Sequence, residues 1–243
     1  MKLKITGLSR TYQNGVKALE DVSLEIGEGM FGLLGPNGAG KSTLMRTIAT
    51  IQLPDKGKIM LDDIDVINDP MSLRKVLGYL PQEFGVYPKI SAADLLEYFA
   101  ALKGISPASE RTKAVKNVLE AVNLFEERNK YVAGYSGGMK RRVNIGVGLL
   151  HKPRLLFMDE PTVGIDIQSR TAIWVLLEEI NKAGTTIVYT SHHLEEAARL
   201  CSRVVIMDQG RIVGEVTDTK GHGGTERLEE VFLGLTGMEY RDH

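Results

Sequence analysis

The chain has 243 residues, 43% hydrophobic and 25% charged, the composition of a globular protein with room for one large domain or two small ones. A formal net charge of -1 excludes the basic footprint of a duplex-binding protein, so no nucleic-acid partner is expected. The lone cysteine, Cys201, excludes an internal disulfide and fits a reducing compartment, where it reads as a small buried hydrophobe.

In chain order, Leu3 and Ile5 alternate with lysines, Asn14-Gly15 signals a hairpin turn, and Val22, Leu24 and Ile26 alternate again. The start MKLKITGLSR lacks a signal-peptide apolar stretch, and no apolar run approaches the roughly 20 residues of a membrane span. Any membrane role is therefore expected to come from a partner. MFGLL reads as a buried strand feeding a Gly-rich loop, with a helix opening at Lys41. Ser91 and Asp94 form a capping box ahead of Leu95, Leu96, Phe99 and Leu102, and Gly104 ends that helix. Ser106-Pro107 opens a second helix with Val115, Val118, Leu119 and Val122 on one face. RLLFM, a helix from Asp166 to Lys182, TTIVYT and RVVIM then alternate, which predicts an α/β framework around a parallel sheet covered on both faces. GRIVGEV predicts a closing edge strand. The tail from Lys220 predicts a Gly-rich linker and one short helix, with no room for a regulatory domain.

GPNGAGKST (Gly35, Pro36, Asn37, Gly38, Ala39, Gly40, Lys41, Ser42, Thr43) has the full spacing of a phosphate-binding loop, set between an apolar strand and a helix. Its glycines let main-chain N–H groups wrap a β-phosphate, Lys41 reaches the β and γ oxygens, and Ser42 ligates Mg2+. In RLLFMDEP an apolar strand ends in adjacent carboxylates, at the sheet edge where α/β folds place ligands. Asp159 suits Mg2+, directly or through water, and Glu160 suits a general base acting on an attacking water. One strand later, TSHH sets His192 at a strand end, placed to contact the γ-phosphate and orient the water. His193 starts the next helix and reads as a surface residue.

YSGGMKRR raises a question, because it places Ser136, Gly137 and Gly138 at a helix start followed by Lys140, Arg141 and Arg142. A helix N-terminus carries partial positive charge and unpaired N–H groups, so it suits a phosphate and not a cluster of cations. The three cations read by default as a solvated face. Why the chain carries a second phosphate cradle is not explained by the first.

These elements identify a family by their order: Tyr12, the phosphate loop, Gln82, YSGGM, the Asp159-Glu160 strand, VGID ending at Asp166, and His192. The sequence resembles the ATP-binding subunit of ABC transporters over nearly its whole length, and most of all the branch of antibiotic and sodium exporters with separate membrane subunits. The resemblance implies one domain over residues 1–243 with an α/β fold. A P-loop NTPase (RecA-like) core and an antiparallel β-subdomain would take about 1–83 and 139–219, a helical subdomain about 84–138, and a short helical tail 220–243. It also implies ATP and Mg2+, hydrolysis that drives a separate transmembrane permease, and a peripheral position on the cytoplasmic face of the membrane.

By the same resemblance Tyr12 stacks on adenine, and Gln82 touches Mg2+ or the attacking water. In a head-to-tail homodimer, Ser136, Gly137 and Gly138 of one copy would cover the ATP held on the phosphate loop of the other, and Asp166 belongs with the nucleotide-site residues. EFGVYP, after Gln82, is where the family meets its membrane partner, so Phe84 and Tyr87 are candidate contacts; a buried aromatic pair is the other reading. Met139 departs from the family's usual glutamine and offers only a weak sulfur acceptor, leaving Ser136 and the Gly137 and Gly138 backbone to face the phosphate.

A non-transport ABC ATPase of translation control or DNA repair is the alternative. Translation-type members carry two such domains in one chain, and repair-type members insert long coiled coils. This chain has one such set of motifs, and its insert is short and without heptads. A GTPase is excluded because NKAG at Asn181 lacks the Asp of the guanine-reading motif.

Overall fold

The computed structural model describes residues 1–82, 89–220 and 223–237. Phe84 and Tyr87 lie outside the described residues. In chain order the first elements are β1 (Leu3–Thr11), β2 (Lys17–Ile26), β3 (Met30–Leu34), α1 (Lys41–Ile48), β4 (Lys56–Leu61), β5 (Ile64–Asp65), α2 (Pro70–Val76) and β6 (Leu77–Leu80). There follow α3 (Ala92–Leu102), α4 (Ala108–Ala121), α5 (Gly137–Leu149), β7 (Leu155–Asp159) and α6 (Ile167–Lys182). The last are β8 (Thr186–Ser191), α7 (Leu194–Leu200), β9 (Arg203–Asp208), β10 (Arg211–Thr217) and α8 (Gly224–Thr236). The chain divides into two compact units, residues 1–74 with 186–243 and residues 75–185.

In the first unit the alternating apolar residues do what their spacing predicts. Leu3, Ile5, Leu8, Val22, Leu24 and Ile26 are buried, and the register pairs Leu3 with Ile26, Ile5 with Leu24 and Leu8 with Val22. β1 lies antiparallel between β2 and β4, and the two-residue β5 completes an antiparallel sheet in the order β2–β1–β4–β5. The hairpin turns at Asn14-Gly15, where the Gly15 N–H donates to the Tyr12 carbonyl at 2.9 Å.

β3 lies parallel between β8 and β9, and β10 runs antiparallel on the far side of β9 as the predicted edge strand. Every residue of β3 and β8 is buried, as strands covered on both faces require. α7 covers β3 and β8, and α8 packs on α7 and β10. Cys201 is fully buried beside Gly32, and burial pushes its thiol up to about 12, so it serves as an inert apolar side chain.

In the second unit β6 and β7 pair in parallel, with Leu80 opposite Met158. The Ser91 hydroxyl accepts from the Asp94 N–H at 3.1 Å and donates to the Asp94 carboxylate at 2.6 Å, which is the predicted cap of α3. α3 ends before Gly104, whose φ of 77° is the left-handed stop. Val115, Val118, Leu119 and Val122 are buried as α4 packs on α3 and α5, each contributing about 1.5–3 kcal/mol if fully buried. α2 buries only Leu73, so no apolar period announces it. Its signal was Asp69 ahead of Pro70: the carboxylate accepts from the Ser72 N–H at 3.1 Å, and proline is tolerated at a first helical position.

Candidate functional site

The phosphate loop leaves β3 through Gly35, where a Cβ would sit 2.3 Å from the Met207 carbonyl oxygen. Gly40 has a φ of 100°, and a Cβ there would meet the Ala18 carbonyl at 2.5 Å. Gly40 caps α1 without a side-chain bond, so no side chain screens the first-turn N–H groups from a ligand. Lys41 is 5% exposed and its ammonium donates to the carbonyls of Gly35 at 2.6 Å and Pro36 at 3.1 Å. The loop therefore wraps a buried cation, a charge arrangement that fits the phosphates of a nucleotide. The Tyr12 hydroxyl shares a hydrogen bond with Thr43 Oγ1 at 2.9 Å, which ties the expected adenine-stacking ring to this loop.

Leu34 pairs with Ser191 in the parallel β3–β8 ladder, so His192 leaves the sheet at the same edge as Gly35. The turn is fixed by Ser191, whose hydroxyl accepts from the His193 N–H at 2.9 Å and approaches the buried Glu196 carboxylate at 3.2 Å. Tyr189 donates to that carboxylate at 2.7 Å. The rings of His192 and His193 lie 4.1 Å apart. His193 starts α7 as expected and is half-buried, and its main chain belongs to the turn that presents His192.

In the second unit the adjacent ends of β6 and β7 bring Gln82 to Glu160. The Gln82 amide donates to Glu160 Oε2 at 3.1 Å, and Asp159 and Glu160 are only 2% and 8% exposed. Glu160 holds a φ of 46°, a left-handed conformation that costs a residue with a Cβ about 1–3 kcal/mol. Among the described residues, no group of three or more His, Cys, Asp or Glu side chains could cage a metal. A buried carboxylate such as Asp159 suits Mg2+, which keeps waters and takes phosphate oxygens as further ligands.

Ser136 caps α5, its hydroxyl accepting from the Met139 N–H at 3.3 Å. Gly138 lies against α6, where a Cβ would come within 2.4 Å of the Ser169 side chain. Asp166 caps α6 through the Ser169 N–H at 2.9 Å, and that bond holds its carboxyl below the usual range.

The basic cluster is not a solvated face. Arg141 is 8% exposed, and its guanidinium donates at 3.3 Å to the carbonyls of Pro81, Gln82 and Glu160. Arg142 donates to the carbonyls of Val122 at 3.0 Å and Asn123 at 2.9 Å, and burial lowers its pKa. Lys140 is half-buried. The signal missed was helical phase: Arg141 falls three residues after Gly138 and four before Ile145, on a buried face.

The sequence profile described as ABC transporter matches residues 19–163. The linearmycin resistance ATP-binding protein LnrL of Bacillus subtilis (strain 168) is 43% identical over 197 residues, 81% of this chain and 63% of that protein. The doxorubicin resistance ATP-binding protein DrrA of Mycobacterium tuberculosis is 37% identical over 219 residues, 89% of this chain and 66% of that protein. The chain thus spans about two thirds of the length of these curated relatives. Among solved structures, an ATP-binding cassette in a dimeric, post-hydrolysis state bound to ADP and Pi is similar at a TM-score of 0.79 and 28% identity, covering 90% of this chain and 99% of that one. The expected α/β fold of the P-loop NTPase class is thereby shown.

Proposed function

The chain belongs to the ABC transporter family, and from that premise we propose that it is the ATP-binding subunit that hydrolyses ATP to drive export through a separate transmembrane permease. The observation that carries the reading is Glu160: a buried carboxylate directly after Asp159, in a strained conformation and oriented by Gln82. Relatives named for resistance to linearmycin and doxorubicin support export as the direction.

In this reading the N–H groups of Gly35 to Thr43 and the Lys41 ammonium hold the phosphates of ATP, and Tyr12 stacks on its adenine. Ser42, Asp159 and Gln82 would hold Mg2+, which would neutralise charge on the phosphate oxygens. Glu160 takes the proton of the attacking water, and His192 orients that water toward the γ-phosphate. The subdomain limits near residues 84 and 138 belong to the same proposal. So does a homodimer in which Ser136, Gly137, Gly138 and Asp166 of one copy complete the site of the other, docked by its permease on the cytoplasmic face of the membrane.

The test is phosphate release from Mg2+-ATP by the purified chain, alone and with whatever membrane protein co-purifies with it. The parent should turn over, and Lys41→Ala should lose both ATP affinity and turnover, because the ammonium contacts phosphates in ground and transition states alike. No release above the Lys41→Ala background in either preparation would refute the reading.

A further inference from the structure

The proposed function uses none of the three cations that follow Gly137 and Gly138 of the YSGGM signature, yet Arg141 is built into the site. A guanidinium is a planar fork of five donors that never loses its charge. Here it is 8% exposed and reaches carbonyls at the ends of two neighbouring strands, Pro81 and Gln82 after β6 and Glu160 after β7, each at 3.3 Å. Glu160 needs such a brace, because a φ of 46° persists only where the surroundings fix it. Its carbonyl is held twice, by Arg141 and by the Val163 N–H at 3.4 Å. Gln82, whose carbonyl takes another arm of the fork, is the residue whose amide orients the Glu160 carboxylate at 3.1 Å.

We infer that Arg141 is a positioning residue: it fixes the backbone of Gln82 and Glu160 together and so sets where the base points. The inference rests on the hydrolytic reading above. It also gives the signature helix a second task. α5 starts at Gly137, one turn before Arg141, so a movement of that helix start is passed through the hydrogen bonds of Arg141 to the base of the same chain. Two of the donors go to main-chain groups on either side of the Gln82–Glu160 bond, so the arrangement fixes a relative position and not a single residue.

Arg141→Met keeps much of the apolar stem and removes every donor, and Arg141→Lys keeps the charge without the fork. In the full chain, ATPase kcat of Arg141→Met should fall at least about tenfold with KM for ATP within about threefold, and Arg141→Lys should fall in between. Adding Gln82→Ala to Arg141→Met should lower kcat less than about twofold further, since both changes act through Glu160. Amide hydrogen exchange without nucleotide gives a readout independent of turnover: peptides covering residues 159–163 should exchange about tenfold faster in Arg141→Met, with α3 and α4 unchanged. Turnover within about twofold of the parent, multiplicative losses, or exchange raised equally throughout the chain would overturn the inference. Should the parent show no ATPase at all, the hydrolytic reading fails, and the exchange pattern alone decides the role of Arg141.

Discussion

The side-chain amide of Gln82 donates to the carboxylate of Glu160 across 3.1 Å. Gln82 follows β6 and Glu160 follows β7, and parallel pairing of Leu80 with Met158 sets the two strand ends side by side. A neutral donor against a buried carboxylate restricts its rotation without neutralising its charge, which is what a base that must face a single water requires. Gln82→Ala should therefore lower kcat by about tenfold while the Kd for ATP stays within about threefold. Equal losses in kcat and affinity, read by steady-state turnover and nucleotide titration, would assign Gln82 to binding instead.

Glu160→Gln should bind ATP and turn it over at least about 100-fold more slowly, the scale of a lost general base. The amide keeps the shape of the carboxylate but cannot take a proton from water, and in the proposed function Asp159 and Ser42 would remain for Mg2+. Single-turnover phosphate release is the direct measurement. A rate within about threefold of the parent would remove Glu160 from the base role.

His151 predicts a pH dependence of stability that is separate from catalysis. Its Nε2–H donates to the Leu77 carbonyl at 3.0 Å, while Nδ1 is buried with no hydrogen-bond partner among the described residues. Burial first, and the nearby Lys103 charge second, push its pKa down to about 4. The unfolded chain then binds the proton near 6.5 and the folded chain only near 4, so stability is fully present above about 6.5 and is lost on acidification between the two values. Discounted for partial exposure, the loss is roughly 1 kcal/mol. His151→Gln keeps a donor for Leu77 but no titration, so its melting temperature should fall less than the parent's between pH 7 and pH 5. Parallel melting profiles for the two proteins would rule out His151 as the cause.

The parts of the site with local causes were legible in the sequence. Gly35, Gly40 and Lys41 stand at the fixed spacing of a phosphate loop, and Ser91, Ser136 and Asp166 cap the helices they precede. Asp159 and Glu160 were legible because a fully apolar strand ends at them. What escaped depends on tertiary partners. The burial of Arg141 is decided by which face of α5 meets the ends of β6 and β7, and three adjacent cations look alike until that phase is known. The left-handed Glu160 escaped because nothing in the sequence calls for a glycine-like conformation at a carboxylate; its surroundings impose it.

The proposed second phosphate cradle carries the last prediction. Ser136 and Gly137 are exposed at the start of the 13-residue α5, where main-chain N–H groups and the helix dipole favour an anion. In the proposed head-to-tail homodimer this cradle serves the nucleotide of the other copy, so each of two composite sites needs Lys41 from one chain and Ser136 from its partner. ATP is then part of the interface, and hydrolysis removes the phosphate that bridges it. Lys41→Ala should destroy the loop half of a site, and Ser136→Arg should block the covering half by bulk at the cradle. A dimer of either variant alone would hold only damaged sites. A mixture of the two forms heterodimers in which one site pairs a native loop with a native cover, while the other carries both lesions. ATP-dependent dimerisation, read by light scattering with the membrane partner supplied if assembly needs it, should reappear on mixing and be absent from either variant alone. ATPase should return with it, to at most about half of the parent rate per dimer, since one of the two sites is intact. If mixing restores neither dimerisation nor turnover, the two cradles do not share a nucleotide in this protein.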